Sequence, residues 1–268
     1  MSQITIPLLY LASGLAFGMN RLPRFAQQAA LLQWGAFVTG LIGAAWHALA
    51  FREKVWLPNG LDLSIANAVS MIGLQLALIA LIGATDAKLR GMAAGLLCIA
   101  AVAAAAIGAP VGESGGSLAT WQLQAHVLIA LFSYGLLTAG AIVAGYALAL
   151  DRRLKRGRFG SGNPLFAPLE TTETMLFGVT AAGFAGLLVA VVSGLVFVED
   201  LFAQHLVHKT TLSIVALLLF GVLLAGRLFA GWRGRRAVYL YLWGFGMLCL
   251  AYFGSRVVLE EILGRSWG

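Results

Sequence analysis

The chain has 268 residues, of which 60% are hydrophobic and only 11% charged, whereas a water-soluble domain carries about 25% charged residues. That shortage excludes an independent soluble domain, and with it a nucleic-acid-binding protein, even though the net charge is +7. The only cysteines, Cys98 and Cys249, stand far apart inside apolar runs, so the sequence holds neither a CxxC pair nor a disulfide framework.

Taken in chain order, continuous apolar runs cover residues 2–20, 31–50, 63–83, 91–109, 122–150, 175–198, 210–230 and 238–262. Each approaches the roughly 20 residues that a helix needs to cross a bilayer. The runs are uninterrupted and rich in Ala, Leu and Gly, unlike the short alternating segments of a membrane barrel. Inside hydrocarbon every backbone amide needs an internal partner, which a helix supplies. The expected fold is therefore all-α: a polytopic membrane bundle of eight transmembrane helices, with residues 1–268 forming a single transmembrane domain.

The first run has no basic residue before it, while Arg21 and Arg24 follow it, so it reads as a retained span whose N-terminus lies outside. The later connections agree with this. Lys88 and Arg90, the run Arg152, Arg153, Lys155, Arg156 and Arg158, and Arg227, Arg233, Arg235 and Arg236 all fall on the side assigned to the inside. Only Arg52, Lys54, Lys209, Arg256 and Arg265 fall outside. Positive residues concentrate on the cytoplasmic side, which puts both the N-terminus and the C-terminus outside. The inner connection 151–174 reads as a basic flexible segment beside anionic headgroups, and the outer connection 109–121, with APVGESGGS, as a small polar loop without a phosphate-binding pattern. The glycines Gly14 and Gly18, Gly91 and Gly95, and Gly135, Gly140 and Gly145 are spaced to let helices approach closely.

All four histidines fall near the expected outer face: His47 late in the second span, His126 early in the fifth, and His205 and His208 before the seventh. Neutral imidazole ligates metals and haem iron. The same residues could equally expose a polar tip at the interface, and His208 could open a helix. Zinc is a further option, since His205 and His208 would share a helical face. Trp46, Trp56 and Trp121 suit an interfacial aromatic belt or a wall for a flat porphyrin. Deep carboxylate relays of the kind that pumps use are missing, and no nucleophile stands beside a base; Ser133 and Ser193 read as hydroxyls bonded to helix backbone.

The stretch from His126 to Tyr134, the segment Pro164 to Glu170, the pair Gly183 and Phe184, and the pieces Lys209, Gly231 to Ala237 and Tyr252 to Ser255 resemble, in that order, the cytochrome c assembly membrane proteins. Within them the size is similar to the eight-span HemX-like branch. The resemblance is strongest over residues 126–255. It implies a bacterial inner-membrane accessory protein of haem handling or cytochrome c biogenesis, not itself an enzyme, with the lipid bilayer, haem and other biogenesis or membrane proteins as partners. It matches His126 to the first outer histidine of the family. Where haem-handling members carry a tryptophan run, this chain reads EDLFAQHLVH before Lys209, and the second outer histidine has no counterpart after the eighth run. The ligand opposite His126 would then be His47, His205 or His208, with Lys209 and Arg256 pairing the propionates. A transporter or exporter of small molecules, for which Gln33, Asn67 and Gln75 would be the polar groups, and a haem-free regulatory or scaffold protein are the alternatives.

Overall fold

The structure is a computed structural model that describes residues 2–57, 60–61, 64–107, 120–155, 167–197 and 204–254. Among them are eight α-helices: α1 (Ser2–Asn20), α2 (Ala29–Val55), α3 (Ile65–Gly83), α4 (Arg90–Ala104), α5 (Trp121–Lys155), α6 (Leu169–Phe197), α7 (Gln204–Ala230) and α8 (Gly234–Cys249). The last continues into a π-helical turn over Leu250–Gly254. A two-residue antiparallel pairing, Trp56 with Leu61 and Leu57 with Gly60, is the only extended structure among the described residues. The described part of each expected apolar run lies largely on one of these helices; the ends of the runs 91–109 and 238–262 fall outside the described residues. Six of them, α2 to α7, are long and apolar enough to cross a membrane. The connection 109–119, the middle of the basic connector at 156–166, and Arg256 lie outside the described residues.

The helices gather into two compact units. The first comprises α1 to α4, the end of α5 from Ala149 and the start of α6 as far as Thr174; the second comprises the remainder of α5 and α6 with α7 and α8.

In the first unit each helix divides into a packed face and an exposed apolar face. Along α1, Ile6, Tyr10, Ser13 and Phe17 are fully buried, while Ile4, Leu8, Leu11 and Leu15 are exposed; both sets repeat at helical spacing, giving one packed face and one lipid face. On α2 the buried residues are Ala36, Gly40, Gly43, Ala44, His47 and Ala50, and the exposed ones include Leu31, Trp34, Val38, Leu41 and Leu49. Lipid tails are as apolar as leucine, so helices pair where small residues let backbones come close. At Gly40 a Cβ would lie 2.7 Å from the Leu81 side chain and 2.8 Å from Ser13 Oγ. Ser13 Oγ in turn donates to the Ala36 carbonyl at 2.7 Å. Gly14 meets the Ala94 carbonyl oxygen of α4 in the same way, at 3.0 Å from a Cβ position, whereas Gly95 has nothing within 4 Å. At one end Arg21 Nη1 donates to the Ala87 carbonyl at 3.1 Å, so the corners that follow α1 and α3, both basic, sit together.

The second unit is tied by hydroxyls bonded to backbone. Ser133 Oγ on α5 donates to the Gly183 carbonyl of α6 at 2.7 Å, and Tyr241 Oη on α8 donates to the Leu137 carbonyl of α5 at 2.6 Å. Tyr241 lies directly against Gly140, where any Cβ would overlap its hydroxyl, and its ring packs edge-on to Phe220 of α7 at 5.2 Å. In a medium without water each such bond takes up a carbonyl lone pair and fixes the rotation of one helix against the next.

Candidate functional site

The second unit places His126 in the second turn of α5, facing α6. His126 Nδ1 lies 2.9 Å from Ser193 Oγ, and the same Ser193 oxygen donates to the Ala190 carbonyl at 3.0 Å. A serine hydroxyl has one hydrogen. Since that hydrogen goes to Ala190, Ser193 must accept from His126, so Nδ1 carries the imidazole proton. The Ala190 carbonyl also accepts from the imidazole, and a neutral ring has a single N–H to give, so with that hydrogen on Nδ1 the lone pair is on Nε2. The bond to Ser193 thus sets the tautomer and ring orientation, the usual task of the group behind a histidine that ligates a metal. Glycine at 194 leaves the ring room: a Cβ there would stand 3.1 Å from His126 Cε1.

Further groups from α7 and α8 surround this end of α5. Lys209, early in α7, stands close enough to His126 for its charge to act on the imidazole, and its Nζ lies 5.6 Å from the centre of the Tyr252 ring. Tyr252 sits in the π-helical turn and packs at 5.5 Å against Tyr134, whose hydroxyl donates to the Leu248 carbonyl at 2.7 Å. The His126 imidazole and Tyr134 ring of α5, the Lys209 ammonium of α7 and the Tyr252 ring of the π-helical turn are therefore linked in sequence through these contacts. π-Helical turns recur at functional sites because they move side chains out of the regular helical register.

His47 is held differently. In the first unit it is fully buried, with Nδ1 at 3.2 Å from Tyr10 Oη and Nε2 at 2.8 Å from Ser70 Oγ. Both ring nitrogens are engaged, one donating and the other accepting. Iron ligation by His47 would require one of these bonds to break inside a packed three-helix interior. His205 and His208 belong to the first turns of α7, ahead of Lys209, and their side chains, like Arg256, lie outside the described residues. Among the described residues no three His, Cys, Asp or Glu side chains gather to hold a metal ion. Trp121 is 72% exposed and Trp46 45%, as belt residues are; the side chain of Trp56 is not described.

The sequence singled out His126 and Lys209 and missed what holds them. Ser193 does bond helix backbone, as its type suggests, and takes His126 as well. Tyr134 and Tyr252 stand in the pieces that carry the family resemblance but have no role assigned there, and Gly194 is not singled out.

Helices with one packed face and one exposed apolar face, and hydroxyls spent on backbone carbonyls, define a multi-pass helical membrane protein. Residues 44–263 match the family described as Cytochrome C assembly protein, and the chain belongs to that family. It is 32% identical over 236 residues to the inner membrane protein YpjD of Escherichia coli, covering 85% of this chain and 87% of that protein. A 28.8 kDa protein of Azospirillum brasilense is 29% identical over 237 residues, 86% of each chain. The cytochrome c biogenesis protein CcsA of Synechococcus elongatus is 25% identical over 100 residues, 37% of this chain and 31% of that protein. No solved structure matches the chain. With six helices fit to cross a bilayer and an inner-membrane relative along most of its length, this is a multi-pass protein of the bacterial inner membrane.

Proposed function

We propose that the protein handles haem for cytochrome c assembly as a binding protein and not as an enzyme, holding porphyrin iron through Nε2 of His126. The observation that carries this reading is the hydrogen-bond order at Ser193, which fixes the proton on Nδ1 and leaves Nε2 as a donor to a metal. Lys209 supports it as a cation beside the imidazole, suited to pair a propionate. Family membership and the partial likeness to CcsA point the same way. Bound haem would supply a redox-active iron; the chain's own residues bind it, orient it and set its charge surroundings.

His205, which precedes Lys209 by one helical turn on α7, would be the second residue to hold the iron, ahead of His47, whose two nitrogens are already engaged. In this reading the chain spans the membrane eight times, with α1 and α8 as the first and last spans in chain order, and both termini lie on the extracytoplasmic side.

The test is the absorption spectrum of protein purified after haem-replete expression. A Soret band is expected for the native chain, absent in His126→Ala and shifted or weakened in His205→Ala. A native protein without the band, or His126→Ala with an unchanged one, overturns the proposal.

A further inference from the structure

Two tyrosines of the second unit spend their hydroxyls on backbone carbonyls of another helix, in different surroundings. Tyr241 of α8, bonded to the Leu137 carbonyl, is fully buried between Gly140 and Phe220. It is a packing tie. Tyr134 of α5 is only half-buried, and it reaches across 114 residues of chain to donate to the Leu248 carbonyl at 2.7 Å. That carbonyl stands just ahead of the π-helical turn Leu250–Gly254, and the Tyr134 ring packs at 5.5 Å against Tyr252 within the turn.

π-Helical turns are rare and short, and an uncommon backbone state persists where its surroundings fix it. Tyr134 fixes this one at two points, with its hydroxyl on the main chain before the turn and its ring on a side chain inside it. Tyr252 in turn has the Lys209 ammonium 5.6 Å from its ring centre, within the range at which a cation is attracted to an aromatic ring. A lysine head rides on a flexible four-carbon stem, and ordering that stem opposes any ion pair it makes. Rested against a ring beforehand, it loses less freedom on meeting a carboxylate. The charge placed in this way already acts on the His126 imidazole, so a ligand held by His126 and carrying a carboxylate meets a cation that is in place.

We propose that Tyr134 is a positioning residue of the His126 site: by fixing the π-helical turn it holds Tyr252, and through Tyr252 the Lys209 ammonium, where a carboxylate of the bound porphyrin meets it. On the haem reading of the site, on which this rests, the chain tells porphyrins apart by their free carboxylates, and Tyr134 sets the strength of that preference.

The full-length protein in detergent is titrated with ferric haem and with its dimethyl ester, in which both propionates are capped and uncharged, following the Soret band. Native protein is expected to bind haem about tenfold or more tighter than the ester. Tyr134→Phe keeps the ring and removes the bond to Leu248; its affinity for haem is expected to fall several-fold while that for the ester stays, so the preference shrinks. In Lys209→Gln the preference disappears, and adding Tyr134→Phe to that variant changes haem binding no further. Tyr241→Phe is the control, a lost hydroxyl–carbonyl bond of the same kind elsewhere in the unit: its thermal midpoint falls and its preference stays native. If Tyr134→Phe does not fold, Tyr252→Leu is expected to reduce the preference in the same way. An unchanged preference in the folded variant, or an equal loss in Tyr241→Phe, overturns the positioning role. Native protein that binds haem and ester alike overturns it while the His126 reading stands, whereas binding of neither overturns that reading and this role together.

Discussion

His47 and His126 are the same side chain near helix ends in the same membrane protein, and the two units of the molecule use them in opposite ways. In the first unit Tyr10 and Ser70 close on both nitrogens of a fully buried ring, so the imidazole is a rivet between α1, α2 and α3. In the second unit Ser193 takes one nitrogen, and among the described residues no side chain closes on the other as Ser70 closes on His47. Whether a buried histidine is structural or functional is decided by the count of its nitrogens already bonded, because imidazole has only two and a metal needs one as a lone pair.

Four substitutions would break or sharpen that contrast. The largest expected effect is His126→Ala, which should abolish haem retention while lowering the thermal midpoint little, since the ring is only partly buried and Ser193 keeps its bond to Ala190; spectra and melting curves on one preparation check both. Next comes His47→Leu. It strands the Tyr10 and Ser70 hydroxyls in a packed interior and should cost about 2–4 kcal/mol of stability, read as a lower denaturation midpoint in detergent, with haem retained per folded molecule as in the native protein. A loss of haem in this variant at full stability would erase the distinction between the two residues. Ser193→Ala is smaller: it frees the imidazole to rotate and to change tautomer, and should weaken haem binding by about 10–100-fold, measured by competition with a haem acceptor. Smallest is Gly194→Ala, whose new methyl group presses on His126 Cε1 from 3.1 Å. A few-fold weakening is expected, because the ring needs to shift by only tenths of an ångström; titration with haem measures it.

Much of the fold was legible. Uninterrupted apolar runs in lipid have no alternative to helix, so their positions could be read to within a few residues, α1 from Ser2 to Asn20 among them. Glycine spacing was legible as packing but not as contact. Gly14 and Gly140 sit hard against Ala94 and Tyr241, while Gly95 and Gly145 meet nothing within 4 Å, because spacing defines a stripe and says nothing of which stripe meets a neighbour. For the site, residue type pointed to all four histidines, and the family resemblance added His126 as the first ligand, with Lys209 and Arg256 as cations. What escaped was everything that depends on a partner far off in sequence: Ser193 is 67 residues from His126, and Ser70 is 23 residues from His47. The number of bonded nitrogens on a histidine is a property of those distant partners, so residue type alone treated His126 and His47 alike, and only the family resemblance of the stretch from His126 to Tyr134 set His126 first. The π-helical end of α8, which sets Tyr252 beside Lys209, has no signature in the apolar run that contains it.

The rivet at His47 also bears on how the first unit comes together. Its three parts arrive on three successive helices, Tyr10 with α1, His47 with α2 and Ser70 with α3, so a nascent chain that has delivered only two of them carries a half-bonded imidazole at membrane depth. The third helix therefore docks onto an unmet demand for a hydrogen bond, and a chain cut before Ser64 would stay recognisably unfinished to any machinery that senses polar groups exposed to lipid.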